Sequence, residues 1–137
     1  MFMVEYTGQK HRKRAVSQGT SVKVDRVLRV RDGDTFYCDI SHYHPLLGGN
    51  IGVRIRGIDA PELKSESAHV QLLAIDAKTE LLKIIMDCKE LKLHNMSRGK
   101  YFRLIADVKA DGKDVATMLL QKHVVKKYDG KTKPVWE

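Results

Sequence analysis

VLRVRDGDTFYCDI, residues 27–40, carries the architecture of this chain. Leu28 and Val30 alternate with Arg29 and Arg31, and Phe36, Cys38 and Ile40 alternate with Tyr37 and Asp39. A period of two is the mark of a β-strand with one buried face. Between the two runs stands Asp32-Gly33-Asp34, residue types that favour tight turns because aspartate can hydrogen-bond nearby backbone and glycine accepts crowded geometry. Strands are therefore expected over residues 21–30 and 35–40, with the Asp34 carboxylate held where the second begins.

The same pattern continues on both sides. In VRIRGIDAPE, residues 53–62, Val53 and Ile55 face one way and Arg54 and Arg56 the other, which predicts a third strand over residues 50–58. Asp59 follows it, two residues before Pro61, on equally stiff backbone. In residues 103–108 the alternation buries Leu104, Ala106 and Val108 and turns Arg103 to the outer surface.

A helix is expected over residues 67–88, with Ala74, Ala77, Leu81, Leu82, Ile85 and Cys88 on one face capping the barrel. Residues 90–94 and 101–108 read as the fourth and fifth strands, with loops over residues 42–49 and 95–100. Asp114 can cap a short last helix whose Val115, Met118 and Leu119 face inward. The expected class is β-rich α+β, a five-stranded OB-fold barrel with a helix between its third and fourth strands and a short C-terminal helix. Residues 1–20, with the basic cluster Lys10 to Arg14, read as an arm ahead of one domain spanning residues 21–137.

The polar residues at the strand ends carry chemistry. Calcium and magnesium take several oxygen ligands, and Asp34, Asp59 and the backbone carbonyl of Ala60 supply half such a shell, with waters for the rest. Oxygen ligands alone do not separate calcium from magnesium or manganese. Glu62 stands where it can orient or deprotonate one of those waters, and the sequence leaves both roles open. Arg54 and Arg103 suit a phosphate, which guanidinium matches with paired charge-assisted hydrogen bonds at any working pH. Each residue taken singly has a plainer explanation, as a turn former or a surface charge. Their conjunction, in order and beside the expected strands, points to phosphodiester hydrolysis.

With these residues assembled, the chain resembles the staphylococcal nuclease family from about Val22 to about Tyr128. The most specific stretches are VLRVRDGDTF, VRIRGIDAPE, GKYFRLIADV and KKYDG. The resemblance implies one Ca²⁺ held by Asp34, Asp59 and the Ala60 carbonyl, a water-activating or water-ordering Glu62, and phosphate-binding Arg54 and Arg103. It implies endonucleolytic hydrolysis of DNA and RNA that leaves 3′-phosphate ends. Tyr101 and Tyr128 match the tyrosines that flank the nucleotide, and Arg56 and Lys100 would guide the strand beside them. The chain departs from the best-known members at Ala60, where they carry threonine, and in a short tail, KTKPVWE, that replaces a long third helix and leaves Trp136 without an assigned place.

Composition agrees. Of 137 residues 42% are hydrophobic, and the formal net charge of +8 favours a polyanionic partner through counterion release and long-range attraction. No apolar run approaches the roughly 20 residues that span a bilayer, and the N-terminus lacks a signal-like apolar stretch, so the expected setting is cytosolic, with a prophage or mobile-element origin equally compatible. A monomer without membrane contact is expected. Cys38 and Cys88 are expected as reduced structural thiols. Cys38, His42 and His44 invite a zinc site but lack a compact fourth ligand. Two rivals to the enzyme remain: a catalytically silent nuclease-like binding module, and a metal-independent single-strand binder, which would leave the carboxylates unexplained because acidic groups repel phosphate.

Overall fold

A computed structural model describes residues 21–41, 43 and 45–137. The expected arm over residues 1–20, and His42 and His44 of the zinc reading, lie outside the described residues. The strands, in chain order, are β1 (Ser21–Lys23), β2 (Arg26–Asp32), β3 (Thr35–Asp39), β4 (Ile51–Ile55), β5 (Ile58–Asp59), β6 (Leu91–Arg98), β7 (Leu104–Ala110), β8 (Lys113–Asp114) and β9 (Lys126–Lys127). Three α-helices accompany them among the described residues: a single turn α1 (Pro45–Gly48), the long α2 (Ala68–Asp87) and α3 (Val115–Gln121).

The main sheet runs β1-β6-β7-β4-β3-β2, with β8 added to β7. Its two outermost strands are neighbours in sequence, separated only by Val24 and Asp25. Val24 donates its N–H to the Leu91 carbonyl and Asp25 to the Asp39 carbonyl, both at 2.9 Å, so the sheet curls back on itself. This accounts for the break in the first expected strand: its halves pair with opposite edges, β1 with β6 and β2 with β3. The result is the β-rich α+β, OB-like architecture that the alternation predicted.

Other boundaries move for local reasons. The third expected strand stops at Ile55 and resumes as β5, because the chain turns at Gly57 with a φ of 91°. The fourth runs on to Arg98 through the expected basic loop, a register shift between His94 and Ser97 absorbing an irregularity at Asn95, whose φ is 50°. The fifth begins only at Leu104, after a 3₁₀ turn over Lys100–Phe102, and α1 occupies part of the expected 42–49 loop. Helix α2 starts at its cap, Ser67, whose hydroxyl accepts from the Val70 N–H, and α3 starts at Asp114, whose carboxylate accepts from Thr117.

The buried stripe of α2 is Val70, Ala74, Ala77, Leu81 and Ile84. Leu82 was expected on it but is 40% exposed, because one residue along a helix is a rotation of roughly 100° away from Leu81. Ile85 and Cys88 are only partly buried at the margin of the core. Phe36, Val53, Ile55, Leu81, Leu93, Val108 and Leu119 are fully buried and fill the barrel and the space beneath α2. Each such side chain stabilises the fold by roughly 1.5–3 kcal/mol through burial.

This core fixes the strand ends that bear the polar residues. β3 and β4 are antiparallel with Thr35 opposite Arg54, while β4 and β7 are parallel with Arg54 opposite Ile105. Asp34, Arg54 and Arg103 thus approach one end of the barrel from three separate strands.

Candidate active site

Asp34 is held by both backbone and side chain. Its carbonyl accepts from the Ile55 N–H at 2.8 Å, and its own N–H donates to Asp32 Oδ1 at 3.1 Å. Its Oδ1 accepts from the Thr35 hydroxyl at 2.7 Å and its Oδ2 from the Ala60 N–H at 2.9 Å. The turn carrying it can lie this close to α2 and to Ala60 because residue 33 is glycine: a Cβ there would stand 2.6 Å from Ala77 Cβ. Asp59, on β5, is buried with 1% exposure. Its Oδ2 accepts from the Trp136 indole N–H at 2.9 Å. Its Oδ1 lies 3.4 Å from Lys133 Nζ.

Two buried carboxylates need nearby positive charge or donors, since removing them from water is costly. Arg54 supplies it to both. Its Nη2 lies 3.5 Å from Asp34 Oδ2 and 3.3 Å from Asp59 Oδ1, so oxygens from the two aspartates flank a single nitrogen. Nη1 donates to the Ile58 carbonyl at 3.0 Å, and the guanidinium carbon stands 5.3 Å from the centre of the Tyr128 ring. Arg103 reaches the same end of the barrel along a different path. Its stem crosses β4 over Gly52, where a Cβ would stand 2.9 Å from Arg103 Cγ, and Gly52 and Arg54 share a face of the strand.

Asp34, Arg54, Asp59, Ala60, Glu62 and Arg103 all line one cavity of about 280 Å³, with Asp32 and Lys133 beside them. Glu62 keeps 65% of its side chain exposed and lies 3.3 Å from Lys133 Nζ. Burial, and then the neighbouring Asp34 carboxylate, push Asp32 up to about 7. Partial burial opposes the charge on Lys133, but Asp59 and Glu62 outweigh it and hold the ammonium above its usual value.

The remaining sequence candidates divide. Tyr128 is half-buried beneath Arg54, whereas Tyr101 is 85% exposed with a φ of 57° on the turn before Arg103. Lys100 belongs to that turn and accepts the Arg103 Nε–H through its carbonyl at 3.3 Å. Arg56, expected to guide nucleic acid, does not line the cavity. Its guanidinium is held on Asp107 at 3.2 Å, Ser97 Oγ at 2.9 Å and the Ile105 carbonyl at 3.1 Å. Cys38 is a free, fully buried thiol pushed up to about 12, chiefly by burial.

Three residues escaped the sequence reading. Asp32 was visible as the first aspartate of the Asp-Gly-Asp turn, but nothing in the turn signalled its burial beside Asp34. Lys133 and Trp136 carry no local pattern; they reach Asp59 only because the chain after α3 folds back, β9 pairing with β5.

Among the described residues, no group of three or more His, Cys, Asp or Glu side chains forms a ready metal cage. The donor chemistry nevertheless fits a hard cation completed by waters: two nearly buried carboxylates converge on one cationic nitrogen and draw in a second cation, Lys133. No helix among the described residues is long and apolar enough to cross a membrane.

Residues 52–134 match the model of a protein family described as staphylococcal nuclease homologue, more than half of the 137-residue chain. The matched segment contains Arg54, Asp59, Ala60, Glu62, Tyr101, Arg103 and Tyr128, while Asp34 lies before it. No curated protein matches the chain.

Proposed function

Because the chain belongs to the staphylococcal nuclease homologue family, we propose that it is a calcium-dependent endonuclease that hydrolyses phosphodiester bonds of DNA and RNA with little sequence preference, leaving 3′-phosphate ends. The observation that carries this reading is the convergence of Asp34, Asp59, Glu62, Arg54 and Arg103 on one cavity. Carboxylates this close would repel phosphate unless a cation intervened, and guanidiniums beside them suit the phosphate itself.

In this reading Asp34, Asp59 and the Ala60 carbonyl hold one Ca²⁺. The bound ion supplies Lewis acidity towards a phosphoryl oxygen and lowers the pKa of a neighbouring water. Glu62, on the open side of the cavity, orders that water or takes its proton. Arg54 and Arg103 bind non-bridging phosphate oxygens and stabilise the charge that builds as the P–O bond breaks. Arg54 is anchored beside the site by the Ile58 carbonyl through Nη1, while its Nη2, which now lies on the two aspartates, is the nitrogen that would turn to the phosphate once the ion takes the carboxylate oxygens. Tyr101 and Tyr128 offer aromatic faces to bases, a mode that tolerates any sequence. The net charge of +8 draws the polyanion in and predicts weaker binding as salt rises.

The test is degradation of single- and double-stranded DNA and RNA with calcium, with magnesium, or with a chelator. Calcium-dependent cutting that falls by about 10²–10³-fold in Arg54→Ala and is lost in Asp34→Ala supports the enzyme. Nucleic-acid binding without cutting in every metal, unchanged in both variants, replaces it with a silent binding module.

A further inference from the structure

The C-terminal segment lies against the strand that carries Asp59. β9 pairs with β5 in a register that sets Lys126 opposite Asp59, and the Tyr128 N–H donates to the Gly57 carbonyl at 2.9 Å. Lys126 Nζ then donates to the Val135 carbonyl at 2.7 Å and stands 4.5 Å from the centre of the Trp136 ring, fastening the end of the chain. Two side chains of this segment touch Asp59, one at each oxygen.

We propose that Lys133 and Trp136 belong to the cation site: the Trp136 indole positions Asp59, and the Lys133 ammonium is the counter-ion that a divalent cation displaces. This rests on the reading of Asp34 and Asp59 as cation ligands. Trp136 donates to Oδ2 at 2.9 Å, which restrains the carboxylate and leaves Oδ1 to Arg54 and Lys133, both residues that line the cavity. Partners that hydrogen-bond a metal-binding carboxylate in this way set its orientation and with it the affinity of the site. Lys133 bridges Asp59 Oδ1 and Glu62 Oε2 at 3.4 and 3.3 Å. Two cations already share this Oδ1, Arg54 Nη2 and Lys133 Nζ. Arg54 is nearly buried and anchored through Nη1 on the Ile58 carbonyl, whereas Lys133 is half-exposed, so a divalent ion arriving there displaces the ammonium. Glu62 is then released from its ion pair. Cation binding, the freeing of Glu62 and movement of the tail become one linked event.

The two residues therefore act with opposite sign, which a general structural role would not produce. Calcium binding by calorimetry is measured on the full chain, its Lys133→Gln, Trp136→Phe and Asp34→Asn variants. Lys133→Gln removes a competitor and binds calcium about two- to five-fold more tightly, the range for a partly exposed ion pair. Trp136→Phe keeps the aromatic bulk, loses the N–H, and binds about ten-fold more weakly or worse. An unchanged affinity in either variant overturns that residue's role, and a shift of both in the same direction overturns the proposal. Loss of binding in Asp34→Asn with unaltered tail variants removes the tail proposal alone. Wild-type protein that binds no calcium, or Asp34→Asn that binds normally, removes the cation site and the proposal together. Trp136 is the only tryptophan of the chain, so its emission gives a readout without metal. Asp59→Asn shifts that emission in chelator if the contact exists, and an unchanged spectrum overturns it.

Discussion

Gly33→Ala tests how the Asp-Gly-Asp turn is seated. An added Cβ would stand 2.6 Å from Ala77 Cβ and 2.9 Å from Ala60 Cβ, with the Ala77 carbonyl carbon at 3.3 Å. Carbon pairs settle at about 3.5–4.0 Å, so relief requires a movement of roughly 1 Å. Neither neighbour is the end of a flexible side chain: Ala77 is fully buried in mid-helix, and Ala60 supplies the N–H bound to Asp34. The turn must lift from α2 and carry Asp34 with it. Overpacking of this kind costs about 1–3 kcal/mol. For a domain of this size the melting temperature should fall by roughly 3–6 °C per kcal/mol, read by circular dichroism. Gly57→Ala is the control, because nothing lies within 4 Å of its Cβ position and only its φ of 91° is strained. It should lower stability through backbone strain alone, so Ala77→Gly should not relieve it. Ala77→Gly removes the nearest obstruction. Alone it costs about 1 kcal/mol as a helix glycine, but paired with Gly33→Ala it should restore stability relative to the additive sum. A Gly33→Ala protein within about 0.5 kcal/mol of wild type, or strict additivity in the pair, would refute the close-approach argument.

Three further outcomes are expected. Asp32 is raised to about 7 by burial and by Asp34. Without metal the folded chain keeps a proton that the unfolded chain releases above about pH 4. That contribution to stability is full below pH 4 and disappears as pH rises to 7, so Asp32→Asn should flatten the decline in urea midpoints over this interval. Leu81→Ala should cost about 2–5 kcal/mol by denaturant unfolding, while Leu82→Ala, on the exposed side of the same helix, should cost well under half as much; equal losses would contradict the observed stripe. Cys38, fully buried and raised to about 12, should resist iodoacetamide at pH 8 in the folded protein and react once urea unfolds it, as mass spectrometry would show.

The residues legible in the linear chain were those governed by short-range periodicity. Alternation placed Val53, Ile55, Ala106 and Val108 inside, and all four are buried, whereas Leu104 is only partly buried and Leu28, at a register shift in β2, is 44% exposed. Capping chemistry located the start of α3 at Asp114, and helical spacing put the start of α2 near Ser67, which the structure shows to be its cap. The OB-like order of strands and helices follows from such local signals, because each depends on steric and hydrogen-bonding rules acting over a few residues.

Tertiary structure alone decided which of these pieces meet. The first strand breaks because curling of the sheet brings both of its edges to the same few residues, and no local pattern encodes that closure. Arg54 and Arg56 are equivalent by alternation. The barrel end gives one of them two buried aspartates, and the neighbouring strand gives the other Asp107. Lys133 and Trp136 meet Asp59 across more than seventy residues, through a pairing of β5 with β9 whose strands are two residues long. Side-chain type and period are properties of neighbouring residues, whereas the electrostatics of a site depends on distances set by how the whole chain closes.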